Sequence, residues 1–358
     1  MRLDSGPTKG DALDRLIREG ITLGLVTRNR PGYLRAILKE TFAMQSIRLC
    51  KVIVYDNSEQ LDTSEVVAGF PEVTYIRGTK MQPGGRNEIL RRVSTSVVCF
   101  LDDDVGLTFG YFDTVWEDFH KYPNAAVVGG PAILVSNAGS PVRRIHGGYG
   151  YNRVTRTVKS ILKADHSQCW IPDEICEVDF VPGGNMCFRT SLLLRVGGFD
   201  EAYERGTSFH EETDPQLSLR EKGYSILYDP NLRVRHFNAP TGGGRADVRK
   251  VKLIANRFHN GRNQVYLLRK HKMLSVFVLR EVWSEMIRNI ILTKTPALFA
   301  QTGVFDATRG KTRSIEGWFP RYLDEVSAGL FLFAGNVSEL ICPSESQPID
   351  VIRMHRRM

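Results

Sequence analysis

Short apolar runs bounded by polar turns recur through the first two-thirds of the chain, and most stop on residues that can carry chemistry. Ile21–Val26 has no helical period and reads as a buried strand; it ends in Thr27, Arg28 and Asn29. Lys51–Tyr55 is a second such run and ends at Asp56, and Val73–Ile76 is a third. Ser96–Leu101 is the fourth, and it stops in three consecutive carboxylates, Asp102, Asp103 and Asp104. Between these runs the period changes. Tyr33 to about Phe42 places Leu34, Ile37 and Leu38 at helical spacing, and Pro83 to Arg92 predicts a helix that opens on Gly84-Gly85. Strand and helix in short alternation predict an α/β fold: a doubly wound, mainly parallel sheet in three layers. Ligands of such a sheet sit beyond the carboxyl ends of its strands, so the polar run-ends should converge on one crevice.

The same reading continues downstream. Ala126–Gly130 and Glu177–Val181 are predicted strands, the second ending in a loop with Gly183, Gly184 and Asn185. Residues 136–172, with little periodicity, are predicted as long loops over the crevice. Thr190–Val196 reads as a helix and Gly197–Glu201 as a turn. His210, Glu211, Glu212 and Asp214 are expected to open a helix that reaches Lys222 and stops at Gly223. Two final strands, Tyr224–Tyr228 and Leu232–Arg235, follow, the latter running into His236. Residues 1–20 are a polar lead-in with a short helix at Ala12–Arg18. From Pro240 the character changes: a Gly-rich linker at Thr241–Arg245, then a helical, basic stretch over 246–292 and a basic tail at Arg353–Met358. Leu274, Phe277, Val278, Val282, Met286, Ile290 and Ile291 would form an apolar stripe on that stretch.

Charge and cysteine usage narrow the picture. Lys and Arg number 48 against 40 acids, a formal charge of +8 that suits an anionic small molecule, a lipid head group or nucleic acid about equally. No nucleic-acid recognition motif is present, so that partner ranks last. The six cysteines show no CxxC pairing, which argues against a zinc site or a disulfide framework. No signal-peptide core is evident, and no apolar span approaches the ~20 residues a membrane helix needs. The expectation is a cytoplasmic protein, with a peripheral contact to the inner face of a membrane through residues 246–292 as a further reading.

The acid triplet is where chemistry is expected. Three adjacent carboxylates repel one another and keep their charge when a cation neutralises them. Oxygen ligands that leave room for water and phosphate suit Mg²⁺ or Mn²⁺. The same triplet could also be a solvated acidic turn, and Gly84-Gly85 either a phosphate approach or a plain turn.

Taken in order, Leu25–Pro31, Val52–Asp56, Arg86-Asn87, Phe100–Asp104, Val196–Glu201, Glu211–Asp214, Gly223-Tyr224 and Val234–His236 resemble family 2 glycosyltransferases, the inverting nucleotide-sugar enzymes of the GT-A fold. The resemblance covers about residues 21–238. It implies a nucleotide-sugar half at 21–130 and an acceptor and catalytic half at 131–240; the basic helical region, 241–358, is read from the residues and lies outside it. It implies that Thr27, Arg28, Asn29 and Asp56 lie by the nucleoside, and Arg86 and Asn87 by the diphosphate. Asp104 would ligate Mn²⁺ or Mg²⁺ with Asp102 and His236, while Asp103 or Asp102 meets the sugar or ribose. Gly183, Gly184 and Asn185 would line the sugar and acceptor site. Glu212 would be the catalytic base, supported by Glu211 and Asp214, although the family's usual second acid is Asp. The implied partners are a nucleoside-diphosphate sugar and a glycan or lipid-linked acceptor.

Two other readings compete. A phosphohydrolase of the haloacid dehalogenase type would use Asp102 as nucleophile and requires a lysine and an acid pair in the crevice. A non-catalytic nucleotide-sugar or glycan-binding protein would lack a placed base.

Overall fold

The computed structural model describes residues 17–60, 62–135, 174–243 and 250–272; for 141–146, 250–258, 305–306 and 311–312 it describes the backbone alone. The predicted strands form β1 (Arg18–Thr27), β2 (Leu49–Asp56), β3 (Val73–Arg77) and β4 (Thr95–Asp102), joined by α1 (Pro31–Ala43), α2 (Asp62–Ala68) and α3 (Gln82–Leu90). These four strands pair in parallel in the order β3-β2-β1-β4. Period-2 alternation decides which face each residue serves. Leu23, Val54, Cys99 and Leu101 enter one core with α1, α2 and α4 (Tyr111–Lys121). Ile53, Tyr55, Val98 and Phe100 enter the other, with α3, α5 (Thr190–Arg195) and Leu219 of α6 (Thr213–Glu221). The three-layer arrangement is thus written in strands apolar on both faces.

Beyond β4 the sheet departs from an all-parallel design. β10 (Asn185–Arg189) lies antiparallel between β4 and β6 (Ala125–Gly129). β11 (Ser225–Tyr228) pairs in parallel with β6, and β9 (Cys176–Glu177) closes the edge. A second sheet in the order β5-β12-β7-β8 is built from β5 (Val105–Leu107), β12 (Val234–His236), β7 (Ala132–Val135) and β8 (Pro141–His146). His236 lies inside β12, opposite Val105 and beside Leu134, so a strand pair plants it next to the acid triplet.

Several sequence expectations need correction. Arg18 belongs to β1, not to a helix; residues 12–16 of that helix lie outside the described residues. Val178–Val181 forms no continuous strand. Gln216 takes the place of a neighbouring strand there: Val181 N–H donates to its Oε1 at 2.8 Å and its Nε2 donates to Val181 O at 3.0 Å. Part of the stretch predicted as loop, 141–146, is β8, and the rest of 136–172 lies outside the described residues. Glu211 and Glu212 precede α6, with Glu212 as its N-cap. Helix α4 was not predicted, although Tyr111, Phe112, Val115, Trp116 and Phe119 form a clear apolar stripe.

Helix α7 (Lys250–Lys270) covers part of the basic stretch. Val265, Tyr266, Leu267 and Leu268 are buried, and Tyr266 and Leu267 pack with Phe180, Tyr203 and Leu217. The 274–291 stripe and the basic tail lie outside the described residues. Among the described residues no helix is long and apolar enough to cross a membrane.

Candidate functional site

The carboxyl ends of β1 and β4, the loop 182–184, the turn 207–212, His236 and Gly243 enclose a crevice of about 390 Å³. Its composition follows from topology. Two adjacent parallel strands end side by side and deliver Thr27, Arg28 and Asp102 to one rim, while the turn before α6 supplies the facing wall.

One wall is the acid triplet. Thr27 Oγ1 donates to Asp103 Oδ2 at 2.7 Å, and Arg30 Nη1 lies 2.7 Å from Asp103 Oδ1 and 3.3 Å from Asp104 Oδ2. Asp104 Oδ2 also accepts from Ala239 N–H at 2.7 Å. His236 Nε2 lies 3.5 Å from Asp102 Oδ2 and 3.8 Å from Asp104 Oδ1. One ligand atom each from Asp102, Asp104 and His236 falls within 4.8 Å of the others, a spacing that a single cation could bridge. Burial pushes Asp103 up to about 6, with Arg30 opposing and Asp104 adding to the rise. Asp102 is also desolvated, but the hydrogen bond and charge of His236, with Arg86 and Arg30, hold it at about 2.

The facing wall is the turn 207–212, where Ser208 and His210 take φ of 56° and 70°. Arg86 of α3, buried over the rings of Phe100 and Phe199, makes an ion pair with Glu211 Oε1 and donates to Gly183 O at 3.0 Å. Glu211 Oε2 is buried with no hydrogen-bond partner. Burial pushes Glu211 up to about 8; Arg86 pulls the other way, while Glu212 and Asp102 add to the rise. Glu212 is half-buried, makes no cap hydrogen bond, and is likewise raised by burial. Two glycines make room for these acids. A Cβ on Gly183 would lie 2.9 Å from Glu212 Cγ, and one on Gly184 would lie 2.6 Å from Asp102 Oδ2.

Thus Thr27, Arg28, Arg86, Asp102, Asp103, Asp104, Gly183, Gly184, Glu211, Glu212 and His236 share one crevice. The remaining predicted site residues do not line it. Asp56 accepts from Ser58 N–H at 2.8 Å and from Tyr75 Oη at 2.7 Å. Asn29 donates its backbone N–H to Ser58 Oγ at 2.8 Å. Asn87 clamps the backbone of Phe199, donating to its O at 2.7 Å and accepting from its N–H at 3.0 Å. Asn185 accepts from Tyr111 Oη at 2.5 Å and donates to Leu232 O at 2.7 Å. Asp214 faces away, toward α7. Gly84-Gly85 serve packing: Glu204 Oε1 accepts from Gly84 N–H at 2.9 Å, and a Cβ on Gly85 would lie 2.7 Å from Tyr55.

Arg30, Met81, Gln82 and Thr207–Phe209 also line the crevice, beyond the residues expected there. Arg30 carried a usable signal, since a cation three residues past Thr27 at a strand end was available to neutralise the acid triplet. No lysine lines the crevice among the described residues, whereas the phosphohydrolase reading requires one.

Residues 19–251 match the family described as glycosyltransferase like family 2. Two curated relatives, pre-mycofactocin glycosyltransferases from two strains of Mycobacterium tuberculosis, are each 25% identical over 239 residues, covering 66% of this chain and 44% of the relative. The chain therefore spans less than half the length of these relatives. Among solved structures it is similar to GalNAc-T7 with UDP, GalNAc and Mn²⁺, at a TM-score of 0.52 and 12% identity over 70% of this chain and 48% of that one. It is also similar to the mannosyltransferase PcManGT from Pyrobaculum calidifontis in complex with GDP-Man and Mn²⁺, at a TM-score of 0.50 and 16% identity over 90% and 87%. At these identities the two structures establish the GT-A fold alone.

Proposed function

The chain belongs to the family 2 glycosyltransferases, and from that premise we propose that it moves a sugar, with inversion, from a nucleoside-diphosphate donor to an acceptor hydroxyl of a glycan or lipid-linked glycan. The observation that carries the reading is one crevice with Asp102, Asp104 and His236 on one wall and Glu212 on the other.

The donor set of two carboxylates and an imidazole fits a divalent cation such as Mn²⁺ or Mg²⁺. Mn²⁺ in the complexes of both structural neighbours supports the same assignment. Bound there, such an ion supplies Lewis-acid stabilisation to a leaving diphosphate. His236 Nδ1 accepts from Asn238 N–H at 3.0 Å, a contact that orients the ring. Thr27 and Arg28 line the nucleoside end, and Arg86 adds fixed positive charge beside Gly183.

Glu212 is the better base of the pair. Both line the crevice, but Glu211 is tied to Arg86, whereas Glu212 makes no cap hydrogen bond and burial raises its pKa. It takes the proton of the acceptor hydroxyl as that oxygen attacks the anomeric carbon from the face opposite the leaving diphosphate.

A screen of UDP-, GDP- and dTDP-sugars, with calorimetry of the matching nucleoside diphosphate in the presence and absence of Mn²⁺, tests this. Asp104→Asn should abolish the Mn²⁺-dependent part of nucleotide affinity. Glu212→Gln should keep that affinity and lose about 10²–10⁴-fold in transfer rate, and Glu211→Gln should lose less. Chelator-insensitive nucleotide binding would remove the metal assignment. A dead Glu211→Gln beside an active Glu212→Gln would exchange the two roles.

A further inference from the structure

The turn that carries Glu211 and Glu212 contains two non-glycine residues at positive φ, Ser208 at 56° and His210 at 70°. Such residues cost about 1–3 kcal/mol each and persist where the surroundings over-determine them. The segments on either side of the turn are braced by α7 and by His271 just past it, most of which lies beyond the 19–251 matched to the family. Lys270 Nζ lies 2.7 Å from Asp200 Oδ2 and 2.9 Å from Asp214 Oδ2. Tyr266 Oη donates to the same Asp200 oxygen at 2.7 Å. Arg262 donates to Ala202 O at 3.1 Å and Asn263 to Tyr203 O at 3.4 Å, gripping the chain on its way into the turn. His271 presents Nε2 to Asp214 Oδ1 and Nδ1 to Glu221 Oε1, each at 2.9 Å. Asp214 and Glu221 are two helical turns apart and share a face, so one ring spans α6 from its first turn to its last.

We propose that Lys270 and His271 are positioning residues that hold the Glu211-Glu212 turn against the crevice from behind, His271 acting as an imidazolium between two carboxylates. Ionised carboxylates accept hydrogen bonds only, so a ring that serves one at each nitrogen must carry both protons. The groups facing it agree. Asp214 and Glu221 of α6 raise its pKa against the effect of burial, Lys270 shares Asp214, and Tyr203 Oη lies 3.3 Å from Asp214 Oδ1. As pH rises through that raised pKa the ring loses a proton, one carboxylate loses its donor, and the start of α6 loosens. The catalytic consequence rests on the reading of this turn as the base-bearing one; the mechanical coupling does not.

The full chain is compared with His271→Gln and Lys270→Met. Amide exchange at residues 210–214 should rise about tenfold or more in each variant while the amides of α3 stay unchanged. Mn²⁺-dependent affinity for the nucleoside diphosphate should stay within about twofold, and kcat should fall about tenfold to a hundredfold. The alkaline limb of the kcat profile should be missing in His271→Gln. Nitrogen NMR of the unmodified protein should show a doubly protonated His271 ring at pH 6, a result that needs no variant to fold. Unchanged exchange at 210–214 in both variants, or a neutral ring, overturns the proposal. Raised exchange and an imidazolium in a protein that transfers no sugar would uphold the strut and overturn the catalytic reading alone.

Discussion

Arg86 and Glu211 form a buried ion pair that joins α3 to the turn before α6, yet one oxygen of Glu211, Oε2, is buried with no hydrogen-bond partner. A half-satisfied buried carboxylate is costly unless it is paired or protonated. The site therefore holds Glu211 in tension between the guanidinium that wants it ionised and the burial that wants it neutral.

That tension sets a pH dependence. Glu211 rises from an ordinary 4.5 to about 8 on folding, so the folded state binds the proton more tightly than the unfolded one. Its contribution to stability is fully present below about pH 4.5 and is lost as pH rises through 8. Glu211→Gln should flatten the decline of Tm between those limits relative to the unmodified protein, measured by calorimetry across pH. A parallel decline in both proteins would show that Glu211 is not the group responsible. Removing only the cation, as in Arg86→Met, should cost about 3–5 kcal/mol by urea denaturation.

Gly183 and Gly184 are predicted to separate the two walls of the crevice. Gly184→Ala presses on Asp102 Oδ2, 2.6 Å from the new Cβ, and should weaken Mn²⁺ binding about 10–100-fold. Gly183→Ala presses on Glu212 Cγ at 2.9 Å and should lower kcat about 10²-fold with Mn²⁺ affinity unchanged. Calorimetric titration with Mn²⁺ and steady-state rates on the two variants give the comparison; equal effects on both readouts would contradict it.

Asn87 and Asn185 should act on stability and not on the donor. Asn87→Leu leaves the N–H and O of Phe199 unpaired in the core, at about 1–3 kcal/mol each. Tyr111→Phe removes the donor to Asn185 Oδ1 at a cost of about 1–3 kcal/mol. Urea denaturation reads the losses, and nucleotide affinity of the folded variants should match the unmodified protein. A selective loss of affinity in Asn87→Leu would return that residue to the diphosphate.

Much of this molecule was legible in its sequence because the information is local. Strands apolar on both faces, such as Lys51–Tyr55 and Ser96–Leu101, announce burial between two helical layers, and parallel strands must end on a common edge. That was enough to bring Thr27, Asp102 and Asp104 together and to place Glu212 opposite them by resemblance to a family. Three-dimensional packing decided the rest. An antiparallel β10 between β4 and β6 leaves no trace in the short apolar run Met186–Phe188, since hydrophobic alternation is blind to strand direction. Whether Asp56, Asn87 and Asn185 face a ligand or the backbone behind it depends on partners as far as 112 residues away, Phe199 in the case of Asn87. The same holds for Arg30, which meets Asp103 across 73 residues, and for His271, which meets Asp214 across 57. A buried charge takes whichever counter-charge the fold brings to it, and that choice is made only when the chain has closed around both.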